Sequence, residues 1–171
     1  MIVSRLIPYK RIDLAVRAYN QLKRPLVIIG DGRDRHALEA MAGPTVRFVG
    51  RVSDEELPHW VQGCRAFVFP GEEDFGIAPV EAQAAGRPVI AYAAGGALDT
   101  VVEDVTGVFF HEPTPEALAE AVERVDMLAF DPQVIQSHAR QFDVEHFKER
   151  FRHFVQEVMA TRPRGGDEGR T

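Results

Sequence analysis

The sequence predicts an α/β fold: a single Rossmann-like domain, built as a parallel sheet of about six strands with helices on both faces. Three observations predict it. Six short apolar runs recur along the 171 residues, at 1–3, 26–29, 46–49, 66–69, 89–92 and 108–110. They are nearly continuous rather than alternating, as strands buried on both faces are. Amphipathic segments lie between them, and strand–helix alternation yields a parallel sheet through right-handed crossovers. The length suits one domain, placed at residues 1–161, with a tail at 162–171.

The elements follow in order. After the first run, Ile12, Ala15, Val16 and Tyr19 form an i, i+3, i+4, i+7 stripe, which is one face of a helix. After the third run, Ser53 and Glu56 have the spacing of a capping box, and Val52 can staple to Leu57. Pro58 should kink that helix or shorten it. Thr114-Pro115 and Asp131-Pro132 each read as an N-cap followed by proline at the first helical position. The first of these opens a stripe of Leu118, Ala121, Val122 and Val125. Phe142, Asp143 and Phe147 repeat the staple pattern around a last helix bearing Phe151, Phe154 and Val158. The tail, RPRGGDEGRT, has no apolar residue and is expected to be disordered.

Composition narrows the function classes. The formal net charge is −6, with acids and bases interspersed, which argues against nucleic acid or a membrane surface as the main partner. No apolar run approaches the ~20 residues of a membrane span. The opening MIVSRLIPYK lacks the order of a signal peptide. Cys64 is the single cysteine, so no internal disulfide can form, and a cytoplasmic location is expected. Beside an apolar run, Cys64 reads as a structural thiol.

Ligands of an open α/β sheet bind beyond the C-terminal ends of its strands, so the loops there carry the functional signal. The first, SRLIPYKR, places Arg5 at a strand end and Lys10 near a helix start. Two such cations can hold a diphosphate, and they also suit a solvated basic loop. The second, GDGRDR, has Gly30 and Gly32 but no third glycine at 35, so it is not the dinucleotide fingerprint. Gly30 serves either a ligand's close approach or a tight turn. The fourth, PGEEDFGIAPVEA, sets three acids after a strand and Gly76 at a helix start whose free N–H groups can face an anion. Glu81 lies early in that helix. A carboxylate there can accept two bonds from a ribose diol, and the helix dipole alone also favours acids at that end.

On these segments the chain resembles the retaining GT-B glycosyltransferases of family 4. Glu73 and Glu81 match the family's E-x7-E motif, within EDFGIAPVEAQAAGRPVIA. SRLIPYKR, LVIIGDG, VRFVGRVSDEEL and the glycine spacing from Gly95 to Gly107 follow in the family's order, and the likeness covers about residues 3–154. The wording is closest to mannosyltransferases that use GDP-mannose.

The resemblance implies a nucleotide-sugar donor as ligand. Arg5 and Lys10 would bind its diphosphate, Glu73 the hydroxyls of the transferred sugar, and Glu81 the ribose. Main-chain groups of Phe75, Gly76 and Ile77 would cap sugar and phosphate, and backbone near Arg51 and Val52 would meet the base. No metal or other cofactor is implied, and the sequence contains no Asp-x-Asp and no histidine pair at metal-ligand spacing. The family's catalytic unit has two Rossmann-like halves, and this chain matches the second. The missing N-terminal half would bind the acceptor, so donor binding without transfer is expected of this chain alone. Without that half, the phenylalanines of the last helix are expected to pair with this domain or with another copy. The same segments also fit a non-catalytic binding module or another GT-B enzyme such as a sugar-nucleotide epimerase.

Overall fold

The computed structural model describes residues 1–161; the expected disordered tail at 162–171 lies outside the described residues. Six strands alternate with helices in the order the apolar runs predict. The strands are β1 (Ile2–Val3), β2 (Leu26–Ile29), β3 (Val46–Gly50), β4 (Phe67–Phe69), β5 (Val89–Tyr92) and β6 (Gly107–Phe110). The helices are α1 (Ile12–Leu22), α2 (Arg35–Met41), α3 (Leu57–Gly63), α4 (Ile77–Ala84), α5 (Ala97–Thr100), α6 (Pro115–Met127), α7 (Pro132–Ala139) and α8 (Val144–Thr161). Residues Met1–Ala139 form one compact unit, and a second begins at Arg140.

The strands pair in parallel as two triplets, β1–β2–β3 and β4–β5–β6. Two hydrogen bonds join the triplets: Val68 N–H donates to the Met1 carbonyl at 2.8 Å, and the Met1 amino group donates to the Ala66 carbonyl at 2.7 Å. The strand order is therefore 3-2-1-4-5-6, that of a doubly wound Rossmann sheet. β1 and β4 lie at the middle, and the chain leaves them in opposite directions.

Alternation along the strands explains why the runs are apolar at every position. Ile2, Ile28, Val68, Ile90 and Val108 turn to one side and pack with Ile12, Ala15 and Val16 of α1 and Leu118 and Val122 of α6. Phe67, Phe69, Val89 and Ala91 turn to the other and meet Val61 of α3, Ala82 of α4 and Ala97 of α5. A side chain such as Ile28 or Ile90, wholly or almost wholly buried, contributes about 1.5–3 kcal/mol. Gly107 opens β6 because a side chain would not fit: a Cβ there would stand 2.1 Å from the Val89 carbonyl oxygen.

The capping signals take effect with one shift. Ser53 and Glu56 form their reciprocal box, the Glu56 carboxylate accepting from Ser53 N–H at 3.0 Å and Ser53 Oγ from Glu56 N–H at 3.2 Å. The bond from Ser53 N–H, with a second to the same carboxylate from Ser53 Oγ at 3.1 Å, holds the Glu56 carboxyl below the usual carboxylate range. The box closes a turn, however, and α3 begins only at Leu57, with Pro58 in its first turn, as proline's missing N–H requires. α8 is amphipathic and buries no residue; Phe147 is 66 % exposed, and its ring stacks on Phe151 at 5.9 Å between centroids. No described helix is long and apolar enough to cross a membrane.

α6 offers a clean test of capping, because Thr114 Oγ1 accepts from Ala117 N–H at 3.2 Å. Replacing Thr114 with alanine removes that acceptor and should lower unfolding free energy by about 1 kcal/mol. Denaturant unfolding of the two proteins measures it, and an unchanged midpoint would show that the cap is idle.

Candidate functional site

Where the chain leaves β1 and β4 in opposite directions, their C-terminal ends open a crevice between two loops, residues 4–11 and 70–76. The loops touch backbone to backbone at Gly71. A Cβ on Gly71 would lie 2.7 Å from the Tyr9 carbonyl oxygen and 2.9 Å from Lys10 Cα, so no larger residue fits without moving the loop. Pro8–Lys10 form a 3-10 turn. Arg11 ends it in the left-handed region (φ 52°), its N–H donating to the Pro8 carbonyl at 3.0 Å and its guanidinium pairing with Asp13 at 3.1 Å. A non-glycine residue held there costs about 1–3 kcal/mol, and such strain concentrates at functional sites.

This geometry brings Lys10 to Glu73. Their ammonium and carboxylate form an ion pair, with side chains only 13 % and 24 % exposed. The Lys10 ammonium also stands 4.9 Å from the centre of the Tyr9 ring, close enough for a cation–π attraction. Two residues for which the family resemblance implies separate ligand groups are thus each other's partners.

The backbone at Glu73 is held from the far side. Gly96 N–H donates to the Glu73 carbonyl at 2.7 Å. A Cβ on Gly96 would be 2.3 Å from Phe75 Cα, so the two segments are in contact through main chain alone. Thr100 Oγ1 donates to the Gly96 carbonyl at 2.9 Å, and Gln83 Nε2 donates to the Thr100 carbonyl at 2.9 Å. Gln83 and Thr100 are fully buried. The sequence reading missed both. Its one signal was a glutamine on the otherwise apolar face of the helix in EAQAAG, a polar group that burial obliges to find a partner.

Two cavities flank the crevice. One, of about 520 Å³, is lined by Tyr9, Arg11, Glu72, Glu73, Asp74 and Tyr92 among others. The other, of about 390 Å³, lies between α3 and α4, with Val3, Leu57, Pro58 and Ala78 as apolar wall and Asp54 and Glu81 as carboxylates. Glu73 and Glu81 therefore serve different spaces: Glu73 stands in the loop, and Glu81 a turn inside α4. Acids with two aromatic rings suit a polyhydroxyl group, and an apolar slot edged by a carboxylate suits a flat ring carrying a diol.

The remaining predicted residues are distributed around this arrangement. Arg5 is exposed and makes no ion pair with the described residues. Gly76 (φ 82°) caps α4 against the Phe69 ring, and Phe75 and Ile77 beside it are 42 % and 68 % exposed. Arg51 is exposed and Val52 half-buried, on the loop that carries Asp54. Gly30 (φ 126°) has a structural explanation: a Cβ there would stand 1.9 Å from the Ser4 carbonyl oxygen, so the glycine admits β1. Cys64 is half-buried, and burial pushes its thiol up, away from thiolate chemistry.

Comparison with known proteins gives this geometry a family. Residues 1–128 match the family described as "Glycosyl transferases group 1". Over 149 residues the chain is 34 % identical to the GDP-mannose-dependent alpha-(1-6)-phosphatidylinositol monomannoside mannosyltransferase of Mycolicibacterium smegmatis, covering 77 % of this chain and 38 % of that protein. Over 85 residues it is 45 % identical to the D-inositol 3-phosphate glycosyltransferase of a Nocardioides species, covering 48 % and 18 %. Among solved structures, Anabaena HepE in complex with UDP superposes with a TM-score of 0.77 at 25 % identity, over 91 % of this chain and 48 % of that one. Sucrose-phosphate synthase of Thermosynechococcus elongatus superposes at 0.74 and 26 % identity, over 94 % and 46 %. The chain spans about half the length of these structures and less of the curated relatives.

The backbone contact at Gly71 is the most sensitive point of the crevice. Gly71→Ala should cost about 1–3 kcal/mol of stability, because the Tyr9–Lys10 turn must move to admit the methyl group. Denaturant unfolding with and without the substitution reads this cost. A loss below a few tenths would mean that the two loops are not held in contact.

Proposed function

The chain belongs to the group 1 glycosyl transferases, and from that membership we propose that it is the donor-binding half of a retaining, metal-independent hexosyltransferase of GT-B architecture. The observation that carries the reading is the Lys10–Glu73 ion pair at the crevice between β1 and β4, with Glu73 on the loop that leads into α4. A nucleoside diphosphate sugar has three parts, and the crevice offers a place for each. The nucleoside enters the slot between α3 and α4, its base against Val3, Leu57 and Pro58 near the Arg51–Val52 backbone, and its ribose diol donates to Glu81. The diphosphate lies at Lys10, Arg5 and the N–H groups that follow Gly76, where cations and the helix dipole meet its charge. The sugar fills the acid-lined cavity and donates hydroxyl bonds to Glu73, capped by main chain of Phe75 and Ile77.

In this reading the protein promotes departure of the diphosphate by electrostatics. Charge that develops on the leaving oxygen meets preorganised cations and dipoles, which cost no reorganisation during the reaction. Lys10, Arg5 and the α4 start supply the stabilisation that a divalent ion supplies in metal-dependent enzymes. The acceptor hydroxyl must be held about 3–3.5 Å from the anomeric carbon, and that positioning falls to a partner Rossmann-like half, which the length of the solved relatives accommodates. GDP-mannose is the proposed donor, supported by the resemblance of the GEEDFGIAPVEAQ segment to mannosyltransferases and by the GDP-mannose-dependent mannosyltransferases among the relatives.

Two outcomes test the reading. A thermal-shift panel of GDP, UDP, ADP and their hexose forms should show stabilisation, about 2.7 kcal/mol for a ligand at about 100 times its dissociation constant, with the guanosine compounds strongest. No shift with any of them at millimolar concentration overturns donor binding. Glu81→Ala should weaken GDP and GDP-mannose alike, by about tenfold to a hundredfold, because both carry the ribose. Calorimetry that finds unchanged affinity for either ligand removes Glu81 from the ribose site.

A further inference from the structure

The two groups that the proposed donor must engage are engaged with each other. Lys10 and Glu73 are paired, both side chains are largely withdrawn from water, and the contact of Gly71 with the Tyr9–Lys10 backbone holds their loops at that spacing. Gly96 fixes the Glu73 main chain from the other side. With the Glu73 main chain braced and the two loops already close, a ligand can take over the pair by exchange of side-chain partners while the loops stay in place.

We infer that the Lys10–Glu73 ion pair is a selectivity device that favours the loaded donor over the spent nucleoside diphosphate; this rests on the donor-binding reading above. The complete donor replaces the pair on both sides. Its phosphate oxygens take Lys10, and its sugar hydroxyls donate to Glu73, so each charge keeps a partner. A free nucleoside diphosphate replaces one side only. It draws Lys10 away and leaves a carboxylate, three-quarters covered, facing a nearby polyphosphate with no donor of its own. An unpaired, poorly hydrated charge is costly, and two like charges in one crevice add to that cost. The lost free energy appears as weakened product binding, which eases product release without loosening the donor.

Removing the Glu73 carboxylate should improve binding of the product. Calorimetry of GDP and GDP-mannose, with UDP and UDP-glucose in parallel, on the wild-type chain, Glu73→Gln, Lys10→Met and the double variant provides the test. Glu73→Gln should tighten the free diphosphate about threefold to tenfold, the scale of a partly exposed ion pair, and weaken the nucleotide-sugar at least about tenfold. In the Lys10→Met background the same substitution should tighten the diphosphate by clearly less, since there is no lysine to release and only the repulsion between carboxylate and phosphate is relieved. Glu73→Asp, which keeps the charge on a shorter arm, guards against a misfolded glutamine variant and should tighten the diphosphate by less. Unchanged or weaker diphosphate binding by both Glu73 variants, each with a wild-type melting profile, overturns the selectivity role while leaving donor binding intact. If the wild-type chain binds no nucleotide at all, the donor-binding reading itself fails and the inference falls with it.

Discussion

Everything at the crevice depends on β1 lying against β4. That adjacency rests on the Met1–Val68 and Met1–Ala66 hydrogen bonds and on strand residues buried from both sides. It turns two segments more than sixty residues apart into neighbours. One brings a turn with a cation at its end, the other a loop with three acids and a helix start. In a doubly wound sheet this is the point where ligands bind, because the crossovers on either side diverge and leave the strand ends uncovered. The chemistry is local, but the reason it is assembled is topological.

What then sets the distances is backbone. Gly71 lies against Tyr9 and Lys10, Gly96 against Phe75, and Gly30 against Ser4, each at a spacing that excludes a Cβ. Buried hydrogen bonds from Gln83 to Thr100 and from Thr100 to Gly96 brace the Glu73 loop from behind. Such a frame lowers the entropy that a ligand would otherwise lose in ordering loops. It also explains why Arg11 can be held at positive φ beside the site: the surrounding contacts fix the turn whatever the residue prefers.

Much of the fold was legible in the sequence, and the reasons are physical. Continuous apolar runs mean burial on both sides, so the strands could be placed to within a residue or two. Thr114-Pro115 and Asp131-Pro132 marked the starts of α6 and α7 because capping is local chemistry. Ser53 and Glu56 are legible as a box but not as a turn that ends directly before α3, since the box does not say where the following helix takes up its ladder. Of the site, local signals gave the residue types and the loops they stand on. They could not give the Lys10–Glu73 pair or the separation of Glu73 from Glu81 into two cavities, which depend on contacts between distant segments. Gly30 shows the same limit from the other side. A glycine kept for a ligand and one kept for a neighbouring strand look alike in sequence, and only the Ser4 carbonyl distinguishes them.

The contrast between a fixed backbone and an exchangeable ion pair bears on how such a site can be both specific and quick to release. If the loops moved on binding, donor and product would each draw on the same closure, and affinity for one would bring affinity for the other. With the main chain braced, discrimination must come from side chains whose partners differ between the two ligands. On the proposed reading Lys10 meets phosphate in both, so it cannot discriminate alone. Once phosphate holds Lys10, Glu73 would find a new partner only where sugar hydroxyls are present, and the proposed exchange would make the diphosphate's affinity depend on the sugar it carries. A neutral residue at 73 could still hydrogen-bond a sugar, but it would have no hold on Lys10. That is a physical reason for a full negative charge at this position, set apart from any part it takes in bond cleavage.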